Sequence, residues 1–260
     1  MKVTILGCGG SGGVPLAARE PGGDWGACDP GNPKNRRRRV SIHVEAGATS
    51  LLVDASPDLR LQLLDNAITR LDAVLFTHAH GDHCHGIDDL RALSHSQGGP
   101  IDTYMDATTR ERLTQRFGYV FASSRDPDSL YPPTLADRVV DGAFQVGEVT
   151  VVPFVQGHGP ETSLGFRFGP VAYSTDLSSL DEAAFAALAG VKLWIVDCLR
   201  FKPHPTHTHF DQTLEWIARV KPERAILTHM NHEVDYDELL ARCPPGVEPG
   251  YDGLVVEIVE

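Results

Sequence analysis

The stretch that decides the fold of this chain is Thr77-His78-Ala79-His80-Gly81-Asp82-His83. It continues the apolar, strand-like segment Ala73–Thr77, so three imidazoles and one carboxylate follow the end of a predicted strand. Neutral imidazole and carboxylate are good ligands for zinc and related divalent ions. A short turn can direct the first two histidines toward one ion and the pair Asp82 and His83 toward a second, so the stretch predicts two metal positions.

The composition limits the classes of protein to which the chain can belong. With 260 residues, 42% of them hydrophobic, it is long enough for one large α/β domain and is not a disordered chain. Its 23 basic and 35 acidic residues give a formal net charge of −12, which excludes a broad basic surface for nucleic acid or anionic membranes. Five scattered cysteines are too few for a disulfide scaffold and favour a reducing compartment. No signal-peptide core and no apolar stretch of roughly 20 residues is visible, so we expect a cytoplasmic protein.

Strand-like and helical segments along the chain predict a layered α/β arrangement. Eleven segments are apolar or β-branched and bounded by turn-forming residues, namely Val3–Leu6, Val40–Val44, Leu51–Asp54, Ala73–Thr77, Ile101–Tyr104, Val149–Phe154, Leu164–Phe168, Val171–Ser174, Leu193–Asp197, Ala225–Thr228 and Leu254–Val259. Six segments have helical spacing of apolar residues, namely Asp58–Asn66, Asp88–Ser94, Thr108–Phe117, Asp181–Ala189, Asp211–Val220 and Tyr236–Arg242. No repeat or linker divides the chain, so residues 1–260 are predicted to form one domain. Three predicted strands run into His78, Asp176 and His229, which predicts one site assembled from distant segments.

The Thr77–His83 stretch resembles the HxHxDH motif of the metallo-β-lactamase fold superfamily, and the likeness extends along the chain. His158 in Gly157–Gly159, Asp176 after Tyr173 and His229 after Thr228 follow in the order typical of that superfamily. The resemblance implies a four-layer αββα sandwich with two metal ions at one edge. The implied ligands are His78, His80 and His158 for the first ion, Asp82, His83 and His229 for the second, and Asp176 as the bridge. The ions are expected to be zinc or manganese, because histidine–carboxylate sites accept either.

Two close cations define the chemistry that such a site can perform. They lower the pKa of a shared water toward neutrality, so that hydroxide can attack an electrophile, and they stabilise negative charge on phosphate oxygens. No serine or cysteine nucleophile is required. Cys84, which adjoins the motif, is therefore interpreted as a buried packing residue.

Four further segments resemble one branch of the superfamily, the phosphoribosyl cyclic phosphate phosphodiesterases related to PhnP. They are Gly7–Pro15, Gly86–Arg91, His204–His207 and Gly250–Gly253, and the likeness covers essentially the whole chain. The resemblance implies a dinuclear metal-dependent phosphodiesterase that hydrolyses a small cyclic or nucleotide-like phosphodiester. The expected partner is such a small molecule.

His207 is the candidate general acid of this reaction. A leaving alkoxide needs a proton, and an imidazole can supply one near neutral pH. In an extended segment His207 and His209 face the same side, so periodicity does not separate them. The resemblance selects His207, with His209 as the alternative and as a candidate substrate contact. Asp82, a ligand of the second ion, is the other residue assigned to catalysis.

The run Lys34–Arg39 is the one basic run in an acidic chain. Its arginines, Arg36, Arg37, Arg38 and Arg39, either form a solvated loop or offer guanidinium contacts to an anionic phosphate ester. Both interpretations stay open from the sequence.

One departure from the PhnP-like pattern concerns a structural zinc. Some relatives hold that ion with several closely spaced cysteines and a late histidine, whereas here Cys28 stands alone and only His232 follows at a suitable spacing. Two ligands do not close a tetrahedral site, so we expect no structural zinc.

Three alternatives to a small-molecule phosphodiesterase are open. A nuclease similar to tRNase Z would need a basic RNA-binding arm, which this acidic chain does not display. A thioester, lactone or β-lactam hydrolase is less compatible with the His207 segment. A non-catalytic nucleotide-binding module is disfavoured by the full set of ligands. We expect no large nucleic acid and no membrane as partners, and a homodimer from the frequency of that state among soluble proteins.

Overall fold

Fourteen strands and seven α-helices occur in residues 1–18, 21–122 and 132–258, which are the residues that the structure, a computed structural model, describes. The strands are β1 (Lys2–Gly7), β2 (Ser41–Ala46), β3 (Thr49–Val53), β4 (Ala73–Leu75), β5 (Ile101–Met105), β6 (Leu135–Val139), β7 (Phe144–Val146), β8 (Val149–His158), β9 (Glu161–Phe168), β10 (Val171–Ser174), β11 (Leu193–Asp197), β12 (Arg224–Thr228), β13 (Val247–Pro249) and β14 (Val255–Glu257). The helices are α1 (Leu59–Asp65), α2 (Gly81–Cys84), α3 (Leu90–Gln97), α4 (Ala107–Phe117), α5 (Glu182–Leu188), α6 (Phe210–Val220) and α7 (Tyr236–Arg242). Each predicted strand and helix overlaps one of these elements, although Val259 lies outside the described residues.

The strands form two sheets that pack face to face. One sheet has the order β14-β1-β2-β3-β4-β5-β6, and the other has the order β13-β12-β11-β10-β9-β8-β7. Successive residues of a strand face opposite sides, and the buried residues divide accordingly. Leu51 and Val53 lie in the core between the sheets, whereas Leu52 faces the outer helices.

The helices cover the outer faces of both sheets. Leu59 of α1, Leu90 of α3 and Leu113 of α4 are buried in one cluster with the outward residues of the first sheet. Helices α5, α6 and α7 contribute Leu188, Ile217 and Leu239 to the core of the second sheet. The result is the four-layer αββα sandwich that the resemblance implies, and this fold class is confirmed.

Parallel pairing brings the reactive strand ends to one edge. Strand β3 pairs in parallel with β4, and β10, β11 and β12 pair in parallel with one another, so their carboxyl ends share a side of each sheet. Three residues that follow these strands have left-handed backbone, with φ of 63° at Asp54, 53° at Asp176 and 57° at His229. Such a conformation costs a non-glycine residue about 1–3 kcal/mol and is concentrated at functional sites.

The described helices are all too short or too polar to cross a lipid bilayer.

A buried histidine in β2 makes the stability of the fold sensitive to acid. The His43 side chain in β2 is 6% exposed, and its Nε2 lies 2.7 Å from the Ser50 hydroxyl. Burial lowers the pKa of His43 to about 4. The folded state therefore favours the neutral ring, and this contribution to stability is present above the ordinary pKa and is lost as the pH falls from about 6.5 to about 4.

We expect His43→Asn to reduce this acid sensitivity. The free energy of unfolding of the variant should fall about 3 kcal/mol less than that of the wild type between pH 6.5 and pH 4, because asparagine has no proton to gain. Urea unfolding at a series of pH values measures the difference. Parallel pH profiles for the two proteins would contradict the assignment.

Candidate metal centre

Three histidine rings and one carboxylate converge to form the first ligand group. The Nδ1 atom of His80 lies 2.8 Å from Nε2 of His78 and 3.3 Å from Nε2 of His158. Asp176 directs Oδ2 toward the same point, 3.8 Å from Nε2 of His78 and 3.7 Å from Nε2 of His158. One ligand atom from each residue fits within a span of 4.8 Å.

A second group lies on the other side of Asp176. The Oδ1 atom of Asp176 is 3.1 Å from Nε2 of His83 and 3.1 Å from Nε2 of His229. Asp82 completes the group with Oδ2 at 3.2 Å from His83 and 3.5 Å from His229. Asp176 thus offers one oxygen to each group, which is the arrangement that the resemblance implies for a bridging residue.

The local backbone explains how one short stretch serves both groups. Strand β4 ends at Leu75, a bend follows at Thr77, and His80, the residue that precedes α2, has extended backbone. Asp82 and His83 lie in the short helix α2, so the change from extended to helical backbone turns them toward the second group.

The outward ring nitrogens of three histidines have partners that fix their orientation. Nδ1 of His78 lies 3.0 Å from the Thr77 hydroxyl, and Nδ1 of His158 lies 2.7 Å from the Thr206 carbonyl. Nδ1 of His83 lies 2.7 Å from Oδ2 of Asp54. Partners of this kind select the tautomer that leaves the other nitrogen free for a metal.

Asp54 was not identified from the sequence. Its carboxylate accepts hydrogen bonds from the backbone N–H and the hydroxyl of Thr77, both at 2.8 Å, and burial raises its pKa. The one feature of the sequence that points to a role for Asp54 at the site is its position as the last residue of the predicted strand Leu51–Asp54.

The residues present fit divalent cations. The Nε2 atoms of His83 and His229 are buried and have no hydrogen-bond partner among the described residues. Burial lowers the pKa of His83, but the neighbouring carboxylates of Asp176, Asp82 and Asp54 outweigh burial and raise the pKa well above its ordinary value. The carboxylates therefore require positive charge between them, and the imidazole and carboxylate donors are those that zinc and manganese accept.

The structure separates His207 from His209. Nδ1 of His207 lies 3.0 Å from Oδ2 of Asp197, and its Nε2 lies 3.8 Å from Oδ2 of Asp176. The His207 ring also stacks on His229, with 4.7 Å between the centroids. His209 instead precedes the first residue of α6 and belongs to none of the potential metal-ligand groups found in the described chain.

Asp197 is a second residue at the site that no sequence motif marks. It is fully buried at the end of β11, and its Oδ1 has no hydrogen-bond partner within the described ranges. Like Asp54, it ends a predicted strand, and that position was the only signal for it.

The four arginines of the basic run lie in different environments. Arg37 is 2% exposed, and its guanidinium donates to the carbonyls of Val234 at 2.8 Å and Asn231 at 3.1 Å. The expectation that Arg37 contacts substrate is therefore wrong, because its charged group is buried against the loop that follows His229. A Cβ at Gly7 would lie 2.1 Å from the Arg39 carbonyl, so the glycine-rich turn packs directly on this run.

The other three arginines of the run lie nearer to solvent. Arg38 pairs with Asp65 at 2.7 Å, and Arg39 pairs with Asp58 at 3.1 Å. Arg36 is exposed over the Trp25 ring. Their contacts with substrate stay predictions.

Cys28 lies beside Arg37 rather than in a cluster of ligands. Its Sγ is 3.2 Å from the Val234 carbonyl and 3.5 Å from the His232 carbonyl. In the part of the chain that the structure describes, no potential metal-ligand group includes it. The expectation about a structural zinc stays a prediction.

Several known proteins are similar to this chain. A family model described as the beta-lactamase superfamily domain matches residues 49–230. The crystal structure of a diphosphatase from the PhnP family superposes with a TM-score of 0.88 and 31% identity, covering 99% of this chain and 98% of that one. Zinc-bound PqqB from Methylobacterium extorquens superposes with a TM-score of 0.77 at 19% identity, covering 99% of this chain and all of that one, and supports the fold alone.

Two curated relatives match over part of their own length. A Porphyromonas gingivalis protein named octanoyltransferase is 33% identical over 267 residues, which covers all of this chain and 52% of the relative. A ribonuclease Z from a Bradyrhizobium species is 28% identical over 142 residues, which covers 52% of this chain and 46% of the relative. The chain spans about half the length of these curated relatives.

Proposed function

This chain belongs to the β-lactamase superfamily, and on that basis we propose that it is a metal-dependent hydrolase of small phosphoric diesters. The observation that carries the proposal is His207, which stands beside both ligand groups and is held by Asp197. The likeness to a PhnP-family diphosphatase over nearly the whole chain supports a phosphoryl substrate.

The metal ions would be held by the two groups described above. His78, His80 and His158 would bind the first ion, Asp82, His83 and His229 the second, and Asp176 both. Divalent ions in such a site activate water and stabilise charge on the phosphoryl oxygens. The protein fixes the ligand rings through Thr77, Asp54 and Thr206.

His207 would supply the proton that the leaving group takes. The Asp197 carboxylate accepts a hydrogen bond from Nδ1–H of His207, which orients the ring and leaves Nε2 directed toward Asp176. A protonated Nε2 can then donate to the oxygen of the departing alkoxide. The Asp197 carboxylate stabilises the charged ring before the transfer.

The proposed substrate is a small cyclic or nucleotide-like phosphodiester, and a diphosphate is the second candidate. The diphosphatase relative favours the second candidate. The two differ in the leaving group, because a phosphate ionises near neutral pH and needs a proton less than an alkoxide does. The acid His207 should therefore matter more for a diester with an alkoxide leaving group.

A panel of substrates tests the reaction class. The protein loaded with manganese or zinc should hydrolyse a chromogenic phosphodiester or a dinucleoside diphosphate about a hundredfold or more faster than a phosphomonoester, an octanoyl thioester or a β-lactam. The octanoyl thioester is included because of the name of the Porphyromonas gingivalis relative. Protein with two bound ions that cleaves the thioester and neither phosphoryl substrate would overturn the proposal, and protein that cleaves none of them would favour a binding module.

A further inference from the structure

We propose that Glu161, held by Arg112, is a positioning residue for His80 and sets the affinity of the first metal position. The proposal rests on the metal centre of the proposed function but not on the reaction. Within the first group, His80 is the histidine whose outward nitrogen, Nε2, lies beside a side chain at the protein surface.

His80 is the exposed member of the first group. Its side chain is 42% exposed, compared with 5% for His78 and 4% for His158. The two buried rings are oriented by partners inside the protein, the Thr77 hydroxyl and the Thr206 carbonyl. An exposed ring without a comparable partner would rotate more freely and bind a cation less well.

Glu161 supplies that partner. Its Oε2 lies 3.4 Å from Nε2 of His80, on the side of the ring opposite to the nitrogen that faces the ligand group. Nδ1 of His80 can bind a metal only if the ring proton lies on Nε2, because a protonated nitrogen has no free lone pair. A carboxylate beside Nε2 favours that tautomer.

Arg112 holds the carboxylate in place. Its two terminal nitrogens contact the two Glu161 oxygens at 2.8 and 2.9 Å, which is the paired geometry that a guanidinium provides. Helix α4 carries the arginine and the first residue of β9 is the glutamate, so two rigid elements set the distance to His80. No contact joins this pair to the second ligand group within the described residues, so we expect the effect to be confined to the first ion.

The same helix offers a matched control. Arg110 also belongs to α4 and pairs with a carboxylate, Asp137 of β6. Asp137 belongs to none of the potential metal-ligand groups found among the described residues. Arg110→Met therefore removes an ion pair from the same helix and leaves His80 unchanged, although the Asp137 side chain is 3% exposed whereas that of Glu161 is 34% exposed.

Zinc binding to Glu161→Gln, Arg112→Met, Arg110→Met and the wild type tests the proposal. Each protein, prepared metal-free, is loaded with two equivalents of zinc and titrated with a chromophoric chelator. We expect the affinity for one of the two ions to fall about 10–100-fold in Glu161→Gln, to fall less in Arg112→Met and to stay unchanged in Arg110→Met. The thermal midpoints of metal-free Glu161→Gln, Arg112→Met and the wild type should agree, which separates positioning from a loss of folding. The midpoint of Arg110→Met should be lower, because the nearly buried Asp137 carboxylate loses its arginine.

Three results would overturn the proposal. They are wild-type affinity for both ions in Glu161→Gln, an equal loss of both ions, and an Arg110→Met variant that is weakened as much as Arg112→Met. A different result would contradict the proposed function, namely wild-type protein that binds two ions tightly and hydrolyses no phosphoryl substrate. That result would leave the role of Glu161 intact.

Discussion

Replacement of Asp176 with alanine is expected to remove both ions and to lower phosphodiester turnover by about a thousandfold or more. Asp176 directs Oδ1 to the second ligand group and Oδ2 to the first, so its loss deprives both positions of a negative ligand. The loss of a single well-placed electrostatic contact in an active site already costs about 10²–10³ in rate. The measurements are the metal content per chain after gel filtration and the turnover of the diester.

Asp176→Asn distinguishes the effect of losing the negative charge from the effect of straining the backbone at this residue. The residue has a φ of 53°, which asparagine tolerates better than alanine does. We expect the asparagine variant to fold like the wild type and still to lose both ions. Two retained ions and near-normal turnover in Asp176→Asn would contradict the bridging role.

His207→Ala is expected to lower turnover of a diester with an alkoxide leaving group by about 10²–10⁴ while both ions stay bound. Its ring lies next to the two ligand groups and belongs to neither of the groups proposed to hold the ions. The effect on a diphosphate substrate should be smaller, because phosphate is a better leaving group than alkoxide. Steady-state rates on both substrates and metal analysis of the same samples measure these effects.

His209→Ala is the matched control for this prediction. It removes the histidine that periodicity alone does not distinguish from His207, and we expect at most a small change in rate. Asp197→Asn should act in the same direction as His207→Ala, since it removes the carboxylate that orients the ring. A wild-type rate in His207→Ala, or a larger loss in His209→Ala, would show that the acid is assigned to the wrong residue.

The interior of the fold is predictable from the sequence because buried strands require apolar residues. Strands β10, β11 and β12 read as short apolar segments and lie inside the second sheet. The sequence pattern does not predict three of the strands, β6, β7 and β13, and each of these lies at an edge of its sheet. Edge strands are short and half exposed, so their sequences lack the continuous apolar pattern on which the prediction depends.

The metal-directed residues are predictable for a different reason, and their partners are not. His78, His80, Asp82 and His83 follow from the local spacing within Thr77–His83, and the family resemblance supplies His158, Asp176 and His229. The partners of these residues are instead defined by contacts in space. Asp54 and Asp197 at least end predicted strands. Glu161 had no sequence signal, because its role depends on Arg112, which is 49 residues away along the chain.

Arg37 shows why charge patterns are a weak guide to binding. Four consecutive arginines suggest a surface for anions, yet the second of them is buried in the fold. Its guanidinium is satisfied by backbone carbonyls that are 194 and 197 residues further along the chain. Only the tertiary structure shows that these carbonyls are available.

The division of the metal centre between the two sheets has a consequence for the order of events during translation. His78–His83 leave the ribosome early with the first sheet, but Asp176 and His229 follow β10 and β12 of the second sheet. Strand β1 also stays without its neighbour β14 until Val255–Glu257 have been synthesised. A nascent chain that lacks Asp176 and His229 can therefore hold a metal ion only weakly, and we expect metal loading to follow folding of the second sheet rather than to guide it.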